Sequence, residues 1–307
     1  MNALFDAAGL RVFERGWLSS NNVLFSGNDS HPSTLVDSGY CTHADQTVAL
    51  VRQALGSRPL GRVINTHLHS DHCGGNHALQ VAFDCGIAIP AGEAYKVDSW
   101  MEDTLTYRAT GQQCPRFRRT ESIHAGTELH CGSRAWRVIG APGHDPESIV
   151  LYEPELQLLI SADALWQNGF GVVFPELEGV SAFDDVRATL EAFSTLPIRW
   201  VIPGHGAPFK NVADAIDRAH RRLDGLIADP ARHAQHAAKV LIKFHLLAVQ
   251  QVALSELETW LVRTPYMRLT HSRHFGDIAF DVWCGDLLTG LSAAGAISVT
   301  NDLVFNR

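Results

Sequence analysis

The chain has 307 residues, 46% hydrophobic and 19% charged, an ordinary globular composition with room for one large domain or for a large and a small one. Its formal net charge of -8 argues against nucleic acid or an anionic membrane as a partner, and no apolar run approaches the roughly 18 residues that span a bilayer. Met1 to Asp6 lacks the basic and apolar regions of a secretory leader, and six cysteines without a CxxC pair read as reduced thiols, so a cytoplasmic protein is expected.

Leu10 to Phe25 reads as strands joined by turns, and Ser33 to Gly39 as a further strand leaving at a glycine. His43 to Leu55 carries Val48, Ala49, Val51 and Leu55 at helical spacing and is stopped by Gly56 and Pro59. An apolar strand then runs to Thr66, a helix starts near Asn76, and Gly86 to Pro90 is the next strand. That alternation marks an α/β layer fold. Glu93 to Glu121 breaks it, as a lid insertion over about 93–122 containing Trp100, Tyr107 and the basic residues Arg116, Arg118 and Arg119. Those arginines either meet an anionic substrate or sit on a solvated surface. Strands resume at 127–130, 136–141, 148–153 and 157–162, a helix follows over 180–196, and Trp200 to Pro203 is a last short strand. Beyond about Phe209 the pattern is helical: 212–227, 231–251, a helix opened by Ser255 with Glu258 at capping-box spacing, and 286–294. A small hairpin around Asn301-Asp302 ends the chain, giving a winged-helix-like order.

The chemistry concentrates in Thr66-His67-Leu68-His69-Ser70-Asp71-His72-Cys73-Gly74-Gly75, where four potential metal ligands fall within six residues. In an extended segment His67, His69 and Asp71 point the same way, and a cluster of imidazoles and a carboxylate at a strand end suits a metal. Cys73 is read as a small filler. Three later strand ends complete the pattern, at Pro142-Gly143-His144, Ser161-Ala162-Asp163 and Pro203-Gly204-His205-Gly206. Each is weak alone; in this order after HxHxDH they form a strong signal.

In these motifs the chain resembles the metallo-β-lactamase superfamily over roughly residues 10 to 208, and its first loop is similar to that of glyoxalase II. The resemblance implies a four-layer αββα sandwich over 1–208, and the helical pattern after it sets off a smaller, mainly helical, winged-helix-like domain over 209–307. It implies two divalent metals, Zn²⁺ first and Fe²⁺ or Mn²⁺ as alternatives. His67, His69, His144 and a shared Asp163 would hold one, and Asp71, His72, Asp163 and His205 the other. Asp71 would also orient a metal-bridging hydroxide that attacks the substrate. The family has glycine where this chain has Ala162, which implies a slight backbone shift at the bridging aspartate. The family's lactonases carry a tyrosine where Trp166 stands, which weakens lactone cleavage.

The expected function is hydrolysis of a small ester, thioester or related acyl substrate, an anionic one if the arginines contact it. An RNA- or phosphodiester-cleaving enzyme with the same metals is the alternative, and a non-catalytic metal-containing binding protein the third. Residues 209–307 hold eleven Lys/Arg and ten Asp/Glu, which is no basic face, so the tail reads as a cap over the cleft or a homodimer contact. Trp166, Phe170 and Phe174 are candidate walls of an apolar substrate pocket or core.

Overall fold

The computed structural model describes residues 5–6, 8–28 and 30–307. Strands β1 (Leu10–Phe13), β2 (Asn22–Phe25) and β3 (Ser33–Val36) pair antiparallel. Helix α1 (Ala44–Leu55) then crosses over to β4 (Leu60–Ile64), and helix α2 (Asn76–Phe83) to β5 (Gly86–Pro90), so that β3, β4 and β5 run parallel. With β6 (Glu121–Ile123) this makes a six-stranded sheet in the order β1-β2-β3-β4-β5-β6. The second sheet is an antiparallel run of β7 (Glu128–Cys131), β8 (Arg134–Gly140), β9 (Ile149–Glu153) and β10 (Leu158–Ala162). Helix α3 (Phe183–Thr195) returns the chain to β11 (Trp200–Pro203), which lies parallel to β10.

Two-residue alternation decides which side chains meet. Val23, Phe25 and Ile64 of the first sheet face Trp136, Val138, Leu151 and Ile160 of the second in one inter-sheet core. Their neighbours Leu24, Leu35 and Val63 point outward, under Val51, Leu55 and Leu79 of the α1 and α2 helices. On the second sheet Val150, Tyr152, Leu159 and Val201 pack under Val186 and Leu190 of α3 and Ala215, Ile216 and Leu223 of α4 (Val212–Ala228). Burial on both faces explains why these strands read as apolar runs. The result is the expected four-layer αββα sandwich.

The insertion forms two short helical segments, Ala94–Ser99 and Tyr107–Thr110, then runs extended to β6. Tyr107 and Phe117 anchor it in the outer core of the first sheet. The tail continues with α5 (Pro230–Val249), β12 (Gln251–Ala253), α6 (Leu254–Arg263), α7 (Pro265–His274), α8 (Phe280–Ala293), β13 (Ile297–Thr300) and β14 (Leu303–Asn306). Asp229 caps α5 by accepting from the Arg232 N–H at 3.1 Å, with Pro230 in the first turn. Asn301 and Asp302 have φ of +50° and +60°, the two left-handed residues of a tight hairpin turn. Strands β12, β14 and β13 form a third small sheet, and the tail has its own core of Leu241, Leu246, Leu257, Met267, Trp283 and Leu287.

Ser255 does not cap α6. The Leu254 N–H is tied to the Asp302 carbonyl at 2.8 Å, so the helix begins as soon as β12 ends, with Ala253 at the cap position and no side-chain cap.

Candidate metal centre

Strands β8, β10 and β11 run the same way, so their carboxyl ends share one edge of the second sheet. His144 follows β8, Asp163 follows β10 directly, and His205 stands two residues beyond β11. The loop after β4 meets them from the first sheet. That loop is not extended throughout: Ser70–Cys73 is a helical turn, which takes Asp71 and His72 away from the side chains of His67 and His69. Two groups result, His67, His69 and His144 in one, and Asp71, His72, Asp163 and His205 in the other, with donor atoms in each within 4.8 Å of one another. Cys73 is buried behind the loop, near Tyr107 and Cys114, and belongs to neither.

Asp163 touches both groups. Its Oδ2 lies 3.4 Å from His144 Nε2 and 3.8 Å from His205 Nε2, while Oδ1 lies 3.4 Å from His72 Nε2. His69 Nδ1 stands 2.8 Å from His144 Nε2, and Asp71 Oδ2 stands 3.1 Å from His205 Nε2. The Nε2 atoms of His67 and His72 are buried without a hydrogen-bond partner. Leaving such an atom bare costs about 1–3 kcal/mol, and a divalent cation among nitrogen and carboxylate donors would satisfy both.

The outer ring nitrogens are held by the scaffold. His72 Nδ1 lies 2.8 Å from Asp37 Oδ2, and Asp37 also accepts from the Thr66 N–H at 2.9 Å and the Thr66 hydroxyl at 2.8 Å. His144 Nδ1 donates to the Val172 carbonyl at 2.5 Å. These contacts fix which nitrogen faces inward. Burial, then neighbouring imidazoles, holds the His67 pKa well below its ordinary value. Burial first pushes His69 and His144 down to about 4. For His72 burial opposes charge, but Asp163, Asp37 and Asp71 outweigh it and hold the pKa well above the usual range. Burial likewise opposes the Asp163 carboxylate, and His72 and His205 outweigh it. An ionised carboxylate among mostly neutral imidazoles is the protonation state a cation needs.

Close approach shapes the junction around Asp163. A Cβ added to Gly204 would come 2.1 Å from Asp163 Oδ1, so glycine is required beside the shared carboxylate. Ala162 has φ +46° at an irregularity in the β10–β11 pairing, a left-handed conformation that costs a non-glycine residue about 1 kcal/mol or more. The alanine carries that strain at the start of the Asp163 turn.

A cavity of about 640 Å³ opens over the two groups. Trp166 lines it, donating its indole N–H to Asp163 Oδ1 at 3.2 Å. Trp17 stacks on His205 with ring centroids 5.3 Å apart, and Phe174 stands 4.8 Å from His69. The insertion reaches the cavity through Thr106, Thr110 and Gln112. Its arginines do not. Arg119 is paired with Asp98 at 2.9 Å, and Arg116 lies over Trp100 at 6.0 Å. Arg118 is anchored by its backbone to the Gln80 side chain at 3.0 Å, and none of the three lines the cavity. Phe170 is also not a wall residue: it is core, 2% exposed, behind the Asp163 loop.

Three contributors lay outside the sequence expectations. Asp37 ends β3 with no motif around it, and Trp17 sits in an irregular loop. Asn21 binds the carbonyls of Pro203 and Gly206 at 2.9 and 2.7 Å and so positions the His205 loop.

The tail is tied to the same framework. His233 on α5 accepts from the Val173 N–H at 3.1 Å, next to the carbonyl that orients His144. Burial first, then His236 and Arg222, lowers its pKa to about 3. Because the folded value lies below the unfolded one, this stability is present above pH ~6.5 and is lost as pH falls toward 3, at up to about 1.4 kcal/mol per pH unit. Denaturant midpoints at pH 7 and pH 5 should therefore fall less in His233→Asn than in the parent. Equal losses would show that His233 is not held neutral.

The match to known proteins agrees with this architecture. Residues 15–205 match the family model described as the metallo-beta-lactamase superfamily. The chain is 27% identical over 160 residues to the acyl-coenzyme A thioesterase MBLAC2 of Gallus gallus, covering 49% of this chain and 57% of that one. It is 29% identical over 163 residues to the hydroxyacylglutathione hydrolase of Methylococcus capsulatus, covering 52% and 54%. The chain thus spans about half the length of these curated relatives. The crystal structure of a beta-lactamase domain protein from Burkholderia ambifaria superposes with a TM-score of 0.58 at 22% identity, over 98% of this chain and 93% of that one. With well over half its length matched and the fold shared, the chain belongs to the metallo-beta-lactamase superfamily.

Proposed function

We propose that this protein is a metal-dependent hydrolase with a two-metal centre, acting on an ester or thioester of a small acyl compound. The observation that carries the proposal is Asp163, whose Oδ1 lies by His72 of one ligand group and whose Oδ2 lies between His144 of the other and His205. His67, His69, His144 and Asp163 would hold one cation, and Asp71, His72, His205 and Asp163 the other. The nitrogen and oxygen donors, with no thiolate among them, favour Zn²⁺. Bound there, two divalent cations supply Lewis acidity and lower the pKa of a water.

The chain's own residues do the rest. Asp71, within hydrogen-bond reach of His205, presents a carboxylate at the centre and would orient the attacking water. Trp166 fixes Asp163 through its indole N–H. Trp17, Trp166 and Phe174 wall the centre and limit water, which strengthens every electrostatic contact inside. The names of both curated relatives denote hydrolysis of an acyl carrier, which supports an acyl substrate here. The division of the chain near residue 208 is proposed with it, supported by the family match ending at 205 and by an apolar core drawn mostly from the tail, which also takes in Val172 and Leu177. A cytoplasmic location fits the free cysteines. Among the described residues no helix is long and apolar enough to cross a membrane.

Protein produced in zinc-supplemented medium should carry close to two metal equivalents by elemental analysis. It should also cleave thioesters or esters in a panel that includes lactones, phosphodiesters and RNA. A stable single equivalent removes the two-metal centre. Cleavage of RNA alone would make the enzyme a nuclease, and metal without any turnover a binding protein.

A further inference from the structure

The cavity above the metal centre is larger than a short acyl group needs, and its composition is lopsided. One wall comes from α5, where Val240, Phe244 and Leu247 stand at helical spacing, with Trp17 and Trp166 opposite. Among these apolar residues stands a half-buried cation with unspent donors, Arg222 of α4.

Its surroundings do not satisfy it. Arg222 is half-buried, with its guanidinium over the Phe170 ring at 5.3 Å. Its hydrogen bond goes from Nη2 to His236 Nε2 at 3.1 Å. The His236 pKa is lowered to about 4, by burial and then by Arg222, so this partner is neutral. Among the described residues Arg222 forms no ion pair, and the nearby charge it feels is the like charge of Arg232. Of the other cations lining the cavity, Lys243 is already occupied by the Ala296 carbonyl and Asn306 Oδ1, at 2.7 and 2.5 Å, and Arg307 is exposed to solvent with its Nε on Ser298 Oγ at 2.8 Å. A guanidinium presents five donors in a planar fork shaped for an oxyanion, and desolvation without a counter-charge is costly. Filling the cavity with an anion would offset that cost; filling it with a neutral molecule would add to it.

We infer that the cavity takes an amphipathic organic anion, with its apolar body against Val240, Phe244 and Trp166 and its carboxylate or phosphate on Arg222. This rests on the reading of the chain as an acyl hydrolase and narrows its substrates to acyl compounds that carry a second, anionic group. Arg222 would be a specificity residue, remote from bond breaking.

The test uses binding, so it stands even if no hydrolysis is found. Quenching of tryptophan fluorescence would follow titration of the metal-loaded protein with decyl phosphate, decanoate and neutral decanol. The parent should bind at least one of the anions about tenfold or more tighter than decanol. Arg222→Gln should lose about tenfold for that anion and keep its affinity for decanol, which also certifies an intact cavity; Arg222→Lys should lie between. Which anion responds distinguishes phosphate from carboxylate. Val240→Trp, which fills the cavity, should weaken all three ligands. Unchanged anion affinity in Arg222→Gln would assign the anion to the metals and overturn the inference. Unchanged binding in Val240→Trp would place the ligand elsewhere and overturn it too.

Discussion

Replacing Asp163 with alanine is expected to strip both metals from the protein, whereas His205→Ala removes about one. The asymmetry follows from position. His205 faces Asp71 at 3.1 Å within the second group, and the first group keeps its three histidines without it. Asp163 lies 3.4 Å from both His72 Nε2 and His144 Nε2, so its loss removes a donor from each group at once. It also removes the main counter-charge to His72, one of the carboxylates that hold that imidazole's pKa up against burial. Elemental analysis after extensive dialysis reads the result directly. Two retained metals in Asp163→Ala would show that the bridge has been assigned to the wrong residue.

The Asp37→Ala variant should be nearly as damaging, although Asp37 belongs to neither ligand group. Its carboxylate is 3% exposed and serves His72 Nδ1, the Thr66 N–H and the Thr66 hydroxyl together. Alanine there takes a partner from three buried polar groups, of which the Thr66 hydroxyl keeps His67 Nδ1 at 3.2 Å, and breaking a buried charged pair costs about 3–5 kcal/mol. Freed from Asp37, the His72 ring loses the contact that turns Nε2 inward, and such outer contacts are worth about 10–100-fold in metal affinity. Competition against a fluorescent chelator measures the affinity, and urea unfolding measures the stability. Asp37→Asn, which keeps an acceptor, should recover part of both. Parental zinc affinity in Asp37→Ala would refute the orienting role.

What the sequence disclosed was what the chain keeps local. His67 to His72 lie within one loop, His144 and His205 each follow a proline-glycine turn, and Asp163 closes an apolar strand. Asp37 is different: it meets His72 only because β3 and β4 run parallel, and nothing within its own stretch marks it. Trp17 reaches His205 across the whole sandwich domain. The arginines of the insertion misled because a run of like charge says nothing about what faces it. Asp98, 21 residues before Arg119, supplies a counter-charge that no local pattern shows. The α7 helix was missed for a related reason: it buries Tyr266, Met267 and Thr270, a short and mixed set that shows no clear periodicity. At Ala162, where a slight backbone shift was expected, the alanine is left-handed, and the Gly204 N–H bonds its carbonyl at 2.7 Å and pins the bulge.

The segment from Asp163 to Val173 joins the metal centre to the tail. It begins on the shared carboxylate, passes the Gly171 N–H back to the Asp163 carbonyl at 2.9 Å, offers Val172 to His144 and ends on Val173, held by His233. Helix α4, beyond the end of the family match, supplies Ala215, Ile216, Ala219 and Leu223 to the outer core of the second sheet. A chain shortened after residue 208 would therefore not yield a minimal catalyst. It would lay open one side of the sandwich and loosen the strut behind His144, so trading one tail for another would retune the ion's grip along with the choice of guest.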